Sequence, residues 1–197
     1  FNISRMAHLD LAEPPLVLPM PIPDPELLMP YNGGRKGVLF IGRHEPRKQP
    51  AVFASKVGLA GLPAKVLTNA KGADKFGKTF EKHGITDYKI EHGIIGQDKA
   101  DFIKSARIAF HPAKLESYGI SAMETLAAGL PTLLVHEYEW WQSFINEGVQ
   151  ITPIRQAQHK LRELYERQTS AAPAYGKTQE QQVFATWERY LNSRLDQ

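Results

Sequence analysis

The chain has 197 residues, 42% hydrophobic and 23% charged, the profile of an ordinary soluble globular protein with one sizeable core. It has no cysteine, which excludes disulfides, thiolate metal sites and a cysteine nucleophile and makes the cytoplasm the default compartment. A net charge of +3 and a pI near 9.0, with both signs mixed along the chain, permit nucleic acid as a partner but do not indicate it.

The first residues, FNISRMAHLD, lack the basic-then-apolar form of a signal peptide, and no apolar run approaches bilayer-spanning length. The chain does not start with Met, so a fragment or a processed product is expected. Seven of the fourteen prolines, at positions 14, 15, 19, 21, 23, 25 and 30, fall within residues 1–36. Proline fixes φ and removes a donor, so VLPMPIPDPELLMP must be extended or turning. It reads as a linker along a surface, with Asn32-Gly33-Gly34 as a turn before the first core strand.

From Gly37 the pattern changes. GVLFIG is a short buried-type strand, RHEPRKQP a polar loop, and Ala51 to Leu59 a helix. Strands are then predicted at Ala64 to Leu67, Tyr88 to His92, Ile108 to His111 and Thr132 to Val135. Helices are predicted at Asp74 to His83, Lys99 to Ser105, Ile120 to about Gly129, and Tyr138 to Asn146. Short apolar strands alternating with helices argue an α/β fold with a Rossmann-like parallel sheet covered on both faces, whose ligands sit outside the carboxyl ends of the strands. Two further stripes at helical spacing, Ile154 to Tyr165 and Val183 to Leu191, are separated by AAPAYG and read as packing faces.

The stretch HPAKLESYGISAMETLAAGLPTLL, residues 111–134, carries the sharpest signals. A strand ends at His111-Pro112, an irregular turn leads to Gly119, and a small-residue helix begins near Ile120. Such a junction offers free backbone N–H groups and the positive end of a helix dipole, a natural seat for phosphate. Glu116 stands before the helix and Glu124 inside it, with seven residues between them. The helical neighbours of Glu124 are Ile120, Ser121, Ala127 and Ala128, so no local Lys or Arg can pair with it. It is either a solvated glutamate or a packed one that needs a partner, such as a ligand hydroxyl. The loop after the first strand places Arg43, Arg47 and Lys48 at a strand's carboxyl end, either as a solvated basic turn or with Arg43 and Lys48 facing a diphosphate held at the Gly119-Ile120 helix start. No G-x-G-x-x-G or P-loop run occurs, no serine sits in a nucleophile elbow, and the seven histidines show no metal-like spacing.

GVLFIGRHEPRK, followed by IEHGIIGQDKADFIKSARIAFHPAKLESYGISAMETLAAGLPTLL, resembles the carboxyl-terminal domain of GT-B glycosyltransferases, in the large retaining group that includes GT4. The resemblance runs from Gly37 to Leu134, and its most specific part is the E-x7-E signature of Glu116 and Glu124. It implies that Arg43 and Lys48 hold the diphosphate of a nucleotide-sugar donor, with backbone N–H groups around Gly119, Ile120 and Ser121. Glu116 would contact the donor sugar at the reacting centre, Glu124 the ribose hydroxyls, and Gly93 and Ile94 the nucleobase. The donor would be a UDP-, GDP- or ADP-sugar, and neither a metal nor another cofactor is expected.

Three places depart from the family pattern. His136-Glu137-Tyr138-Glu139-Trp140-Trp141 stands where a Gly-Gly pair and a glutamate are common, and its two tryptophans either stack on a sugar or pack. Gln49 replaces a glycine after the lysine, and Thr68-Asn69-Ala70-Lys71-Gly72 lacks the usual glycines. Complete members have two Rossmann-like domains. The resemblance therefore makes residues 1–36 the interdomain linker or end of a missing amino-terminal acceptor domain, 37–170 the donor-binding domain, and 171–197 a crossover helix. Any peripheral membrane association would run through the missing domain. Other readings of the same fold are a nucleotide-sugar epimerase, a glycan phosphorylase needing a pyridoxal-phosphate lysine, or a non-catalytic nucleotide- or sugar-binding module. A transferase acting on modified nucleic acid has only the mild basicity in its favour.

Overall fold

A strand buried on both faces sends alternate residues to opposite cores, and the strands here sort in that way. The computed structural model describes residues 22, 24–28, 33–116, 119–135, 137, 149–167 and 185. Strands β1 (Val38–Ile41), β2 (Ala64–Thr68), β3 (Tyr88–His92), β4 (Ile108–His111), β5 (Thr132–Val135) and β6 (Val149–Thr152) form one sheet in the order β3-β2-β1-β4-β5-β6. All five pairings are parallel. Helices α1 (Pro50–Ala60), α2 (Ala70–Lys82), α3 (Gly96–Lys104), α4 (Ile120–Ala127) and α5 (Ala157–Glu166) complete the layers.

On one face Val38, Phe40, Val66, Ile108 and Phe110 meet α1, α2 and α5. The rings of Phe53 and Phe76 each lie 5.1 Å from Phe40, tilted as aromatic quadrupoles prefer. On the other face Leu39, Leu67, Ala109 and Leu134 meet α3 and α4. Ile22 and Leu28 are buried in that second core, and Pro25–Leu28 form a 3₁₀ turn. The proline-rich segment is therefore not only a surface linker, because Ile22 and Leu28 complete the core. Arg35 belongs to the same unit: its guanidinium donates to the carbonyls of Ala128 and Gly129 at 3.0 Å each, beyond the last turn of α4.

Local chemistry explains the helix boundaries. Pro50 opens α1 where its missing N–H costs nothing, and Gly61 closes it at φ 65°. The Asn69 side chain accepts from the Gly72 N–H at 2.8 Å and starts α2. The stripe from Ile154 forms α5, which buries Ala157, Leu161 and Leu164. Arg162 of α5 donates to the Ala60 carbonyl at 3.1 Å, and the Tyr165 hydroxyl accepts from the Gly37 N–H at 3.0 Å, which locks α5 to α1 and to the sheet. The helix predicted at Tyr138 to Asn146, the stripe from Val183 to Leu191 apart from Ala185, and both tryptophans of Trp140-Trp141 lie outside the described residues. Strand β6 was not predicted. Among the described residues no helix is long and apolar enough to cross a membrane.

Candidate functional site

The strand order reverses between β1 and β4, since the chain runs outward through β2 and β3 and returns on the other side through β5 and β6. Pairing between β1 and β4 covers only Val38↔Ile108 and Leu39↔Ala109, whereas β1 and β2 stay paired through Ile41↔Leu67. The carboxyl ends of β1 and β4 therefore part, and a crevice opens at the switch point, where α/β sheets bind ligands.

Two loops wall this crevice. After β1 the chain passes through Gly42 to a 3₁₀ turn at Pro46–Lys48, and after β4 it passes through Pro112 to Glu116. The Arg47 carbonyl accepts from the Lys114 N–H at 2.7 Å, which ties the loops together. Across them Lys48 Nζ forms a salt bridge with Glu116 Oε1, with side chains only 13% and 8% exposed. The spacing between these residues gave no local reason to pair them; the switch point does.

Gly119 precedes α4 at φ 70°, a left-handed conformation that glycine adopts without strain. The first backbone bond into it comes from the Ala122 N–H to the Gly119 carbonyl at 2.8 Å. The N–H groups of Ile120 and Ser121 thus lie ahead of the intrahelical ladder and face the opening end of α4. Ser117 and Tyr118 lie outside the described residues.

Glu124 is buried, with a side chain 4% exposed, so it is the packed glutamate of the two alternatives. Its partner is a lysine from another helix: Lys99 Nζ of α3 lies 2.5 Å from Oε1. The partner that a packed glutamate was expected to need is therefore Lys99, where the sequence had suggested a ligand hydroxyl. The absence of a local partner was right, but α3 and α4 begin side by side and Lys99 crosses between them. Together with Gly96 and the 3₁₀ segment residues Asp24 and Leu28, this pair lines a small cavity of about 20 Å³. Both carboxylates singled out in the sequence therefore end in lysine ion pairs.

Behind the first pair, His111 is fully buried, with Nε2 3.3 Å from the Thr125 hydroxyl, itself 3.1 Å from the Thr132 hydroxyl. Burial, followed by the nearby Lys48 ammonium, pushes the His111 pKa down to about 3, so its ring is neutral. This hydroxyl chain binds β4 and β5 to α4 and fixes the helix that carries Glu124.

The remaining predicted residues are placed differently. Arg43 does not join the Lys48–Glu116 pair; its side chain is 58% exposed, with Nε 3.0 Å from Glu45 Oε1. It borders a separate cavity with His44, Lys71 and Lys75. Gly93, at φ 69°, turns the chain out of β3, and Ile94 lines a groove of about 580 Å³ between β3 and α3 with Lys89, Glu91, Asp101 and Phe102. Glu137, in the segment that departs from the family pattern, accepts the Ile154 N–H at 2.8 Å and so ties the chain after β5 to the turn before α5. Among the described residues no three His, Cys, Asp or Glu side chains converge as metal ligands.

The profile described as glycosyl transferases group 1 matches residues 30–168. Solved structures share the fold. AviGT4, a glycosyltransferase involved in avilamycin A biosynthesis, superposes with a TM-score of 0.67 at 16% identity, over 96% of this chain and 60% of that one. TarM of S. aureus, in complex with fondaparinux, α-GlcNAc-glycerol and UDP, gives 0.72 at 16% identity over 96% and 41%. The pneumococcal O-GlcNAc transferase GtfA, in complex with UDP and GlcNAc, gives 0.67 at 17% identity over 83% and 37%. The chain spans 60% or less of the length of each of these proteins. No curated protein sequence matches it. The crevice at the sheet's switch point, the shared fold and a profile match over more than half of its residues lead to one assignment: this chain belongs to the glycosyl transferases group 1 family.

Proposed function

We propose that the chain is the donor-binding domain of a retaining, metal-independent glycosyltransferase. It takes a nucleoside-diphosphate sugar and passes the sugar to an acceptor held by a second, amino-terminal domain of the same cytoplasmic protein. One observation carries the reading: at the switch-point crevice, both glutamates of the E-x7-E signature are paired with lysines on either side of the α4 start.

The roles follow from charge. Breaking the bond between a sugar and a diphosphate leaves negative charge on the departing phosphate and positive charge on the ring. In this reading Lys48 and the N–H groups at Gly119, Ile120 and Ser121 stabilise that phosphate, and Arg43 reaches it by swinging from Glu45. Fixed cations and dipoles of this kind favour the transition state over the bound substrate. Glu116 lies at the mouth beside Lys48, suited to the sugar at its reacting carbon. Glu124 accepts from the ribose hydroxyls, Lys99 balances its charge and orients it, and Gly93 and Ile94 flank the base. The UDP carried by the TarM and GtfA complexes supports a uridine donor among the UDP-, GDP- and ADP-sugar candidates.

Calorimetry of the chain with UDP-, GDP- and ADP-sugars tests the reading. One of the three binds, and Lys48→Ala abolishes that binding; silence from all three overturns it. In the full-length enzyme, Lys48→Ala lowers kcat by at least about a hundredfold, the usual cost of one phosphate-stabilising donor.

A further inference from the structure

The sheet ends on one side at β3, and that edge is built unlike the other strands. Each of β1, β2, β4, β5 and β6 has at least one buried position, whereas β3 has none. Tyr88, Lys89 and His92 are exposed, and Ile90 and Glu91 are half-buried. Among the described residues nothing pairs with the outer side of β3. An open edge is a row of unanswered N–H and C=O groups, a template for another strand.

Pairing with β2 decides which groups face out. The two strands run parallel from Ala64↔Tyr88 to Thr68↔His92, and the Asp87 carbonyl accepts from the Ala64 N–H at 3.0 Å. Backbone groups alternate sides along a strand, so Lys89 and Glu91 turn theirs toward β2, while Tyr88, Ile90 and His92 turn theirs outward. The side chains add a second pattern. Ile90 packs on the core and the Tyr88 ring lies 5.0 Å from Phe80, whereas Lys89 and Glu91 stand on the opposite face, over the groove beside α3. A lysine and a glutamate thus flank Ile90 on either side, 64% and 33% exposed and 3.2 Å apart.

Charges of one sign keep edges apart, because like charges set opposite one another repel. This pair is arranged the other way. In a second copy of β3 turned antiparallel about a two-fold axis at Ile90, Lys89 faces the partner's Glu91 and Glu91 faces the partner's Lys89. Backbone parity agrees with that register. Ile90 meets its own counterpart and Tyr88 meets the partner's His92 as hydrogen-bonded pairs, which answers every outward N–H and C=O of the strand. Both charged positions become non-hydrogen-bonded pairs, whose Cα atoms approach to about 4.5 Å. The nearest registers that keep the parity set Lys89 against the partner's Lys89, or Glu91 against the partner's Glu91, and so repel. We propose that the outer edge of β3 is a docking surface for a second copy of this chain, joined antiparallel about Ile90 into one continuous sheet. The two-fold turns the carboxyl-end rims of the copies in opposite directions, so the contact uses neither crevice and is independent of donor binding.

Sedimentation equilibrium of the 197-residue chain over a range of concentrations tests the contact. A five-residue edge buries less than a standard interface, so a reversible dimer with a Kd on the order of 100 µM is expected. Lys89→Glu and Glu91→Lys each set like charges against one another at both ends of the pairing and weaken the dimer at least about tenfold. Neither side chain belongs to a core, so the variants keep their fold. The double variant Lys89→Glu/Glu91→Lys recovers the parent affinity, and an equimolar mixture of the two single variants forms a heterodimer tighter than either homodimer. Hydrogen exchange reads the edge itself: the Tyr88, Ile90 and His92 amides slow as concentration passes the Kd, while those of Lys89 and Glu91, already bonded to β2, do not change. A monomer at every concentration up to about 1 mM overturns the proposal and leaves the edge to a different occupant. Single reversals that leave the dimer intact, or protection that falls elsewhere, overturn it by moving self-association to another face.

Discussion

At the scale of single residues, the site is two carboxylates that the fold removes from water and answers with lysines. A buried carboxylate that loses its cation is left uncompensated, so Lys99→Ala should cost about 2 kcal/mol, below the cost of breaking a fully buried pair because Lys99 keeps a partly exposed side chain. Adding Glu124→Gln to that variant removes the stranded charge and should restore most of the loss, a coupling that urea unfolding of all four proteins reads directly. Additive single effects would show that the pair carries no coupling. His111 supplies a second expectation, with a definite sign. Its folded pKa lies near 3 against 6.5 for a freely solvated histidine, so between those values the unfolded chain takes up a proton that the folded chain refuses. Its contribution is therefore present above pH 6.5 and is lost as pH falls, with a slope of up to about 1.4 kcal/mol per unit. His44, lowered first by burial and then by Lys75, adds in the same direction. Stability curves between pH 7 and 5 should flatten in His111→Gln relative to the parent; an unchanged slope would contradict the assignment. Lys48, Glu116 and Glu124 were legible in the sequence because motif and spacing mark them. Lys99 was not, because it reaches Glu124 across 25 positions and nothing local to either residue signals the meeting.

At the scale of elements, alternation of apolar strands with helices exposed β1 to β5 nearly to the residue, since each is a short hydrophobic run bounded by turn residues. Strand β6 escaped because VQIT is short, half-buried and half-polar, and its place depends on pairing with β5. Helix starts were placed late, by one residue at Pro50, by three at Gly96 and by four at Ala70. Ile22 and Leu28 were hidden by the prolines around them, which announce irregular backbone and say nothing of where the intervening side chains go. Packing between elements also reverses an ordinary propensity. Alanine for glycine inside a helix usually gains up to about 1 kcal/mol. At Gly58 of α1, however, the new methyl would come within 2.6 Å of the His83 backbone carbonyl after α2. Backbone cannot yield as a flexible side chain does, so Gly58→Ala should destabilise by about 1–3 kcal/mol as α1 and α2 are forced apart. Gly77→Ala in α2, whose methyl would meet only the Tyr88 hydroxyl at 3.9 Å, should stabilise instead. Thermal or urea unfolding of both variants checks the contrast, and a shared sign would refute the packing argument.

At the scale of the whole molecule, the cationic loop, the opening turn of α4 and both ion pairs all lie along one rim of the sheet, beyond the carboxyl ends of β1, β3 and β4. Such a rim can hold a diphosphate and a nucleoside, yet it leaves the far side of the sugar open to water. Catalysis by exclusion of water and by placement of an acceptor requires a facing surface, which the proposal assigns to the amino-terminal domain. Binding and transfer should therefore separate. Donor at one hundred times its Kd should add about 2.7 kcal/mol to the stability of the 197-residue chain and raise its Tm accordingly, because only the folded rim binds it. The same chain should release no sugar to any acceptor at a rate above that of the donor in water. Full-length protein mixed with the donor should both bind and transfer, and Lys48→Ala should remove both properties together. Transfer by the isolated chain at the full-length rate would show that the rim alone is the complete catalyst and would end the two-domain account.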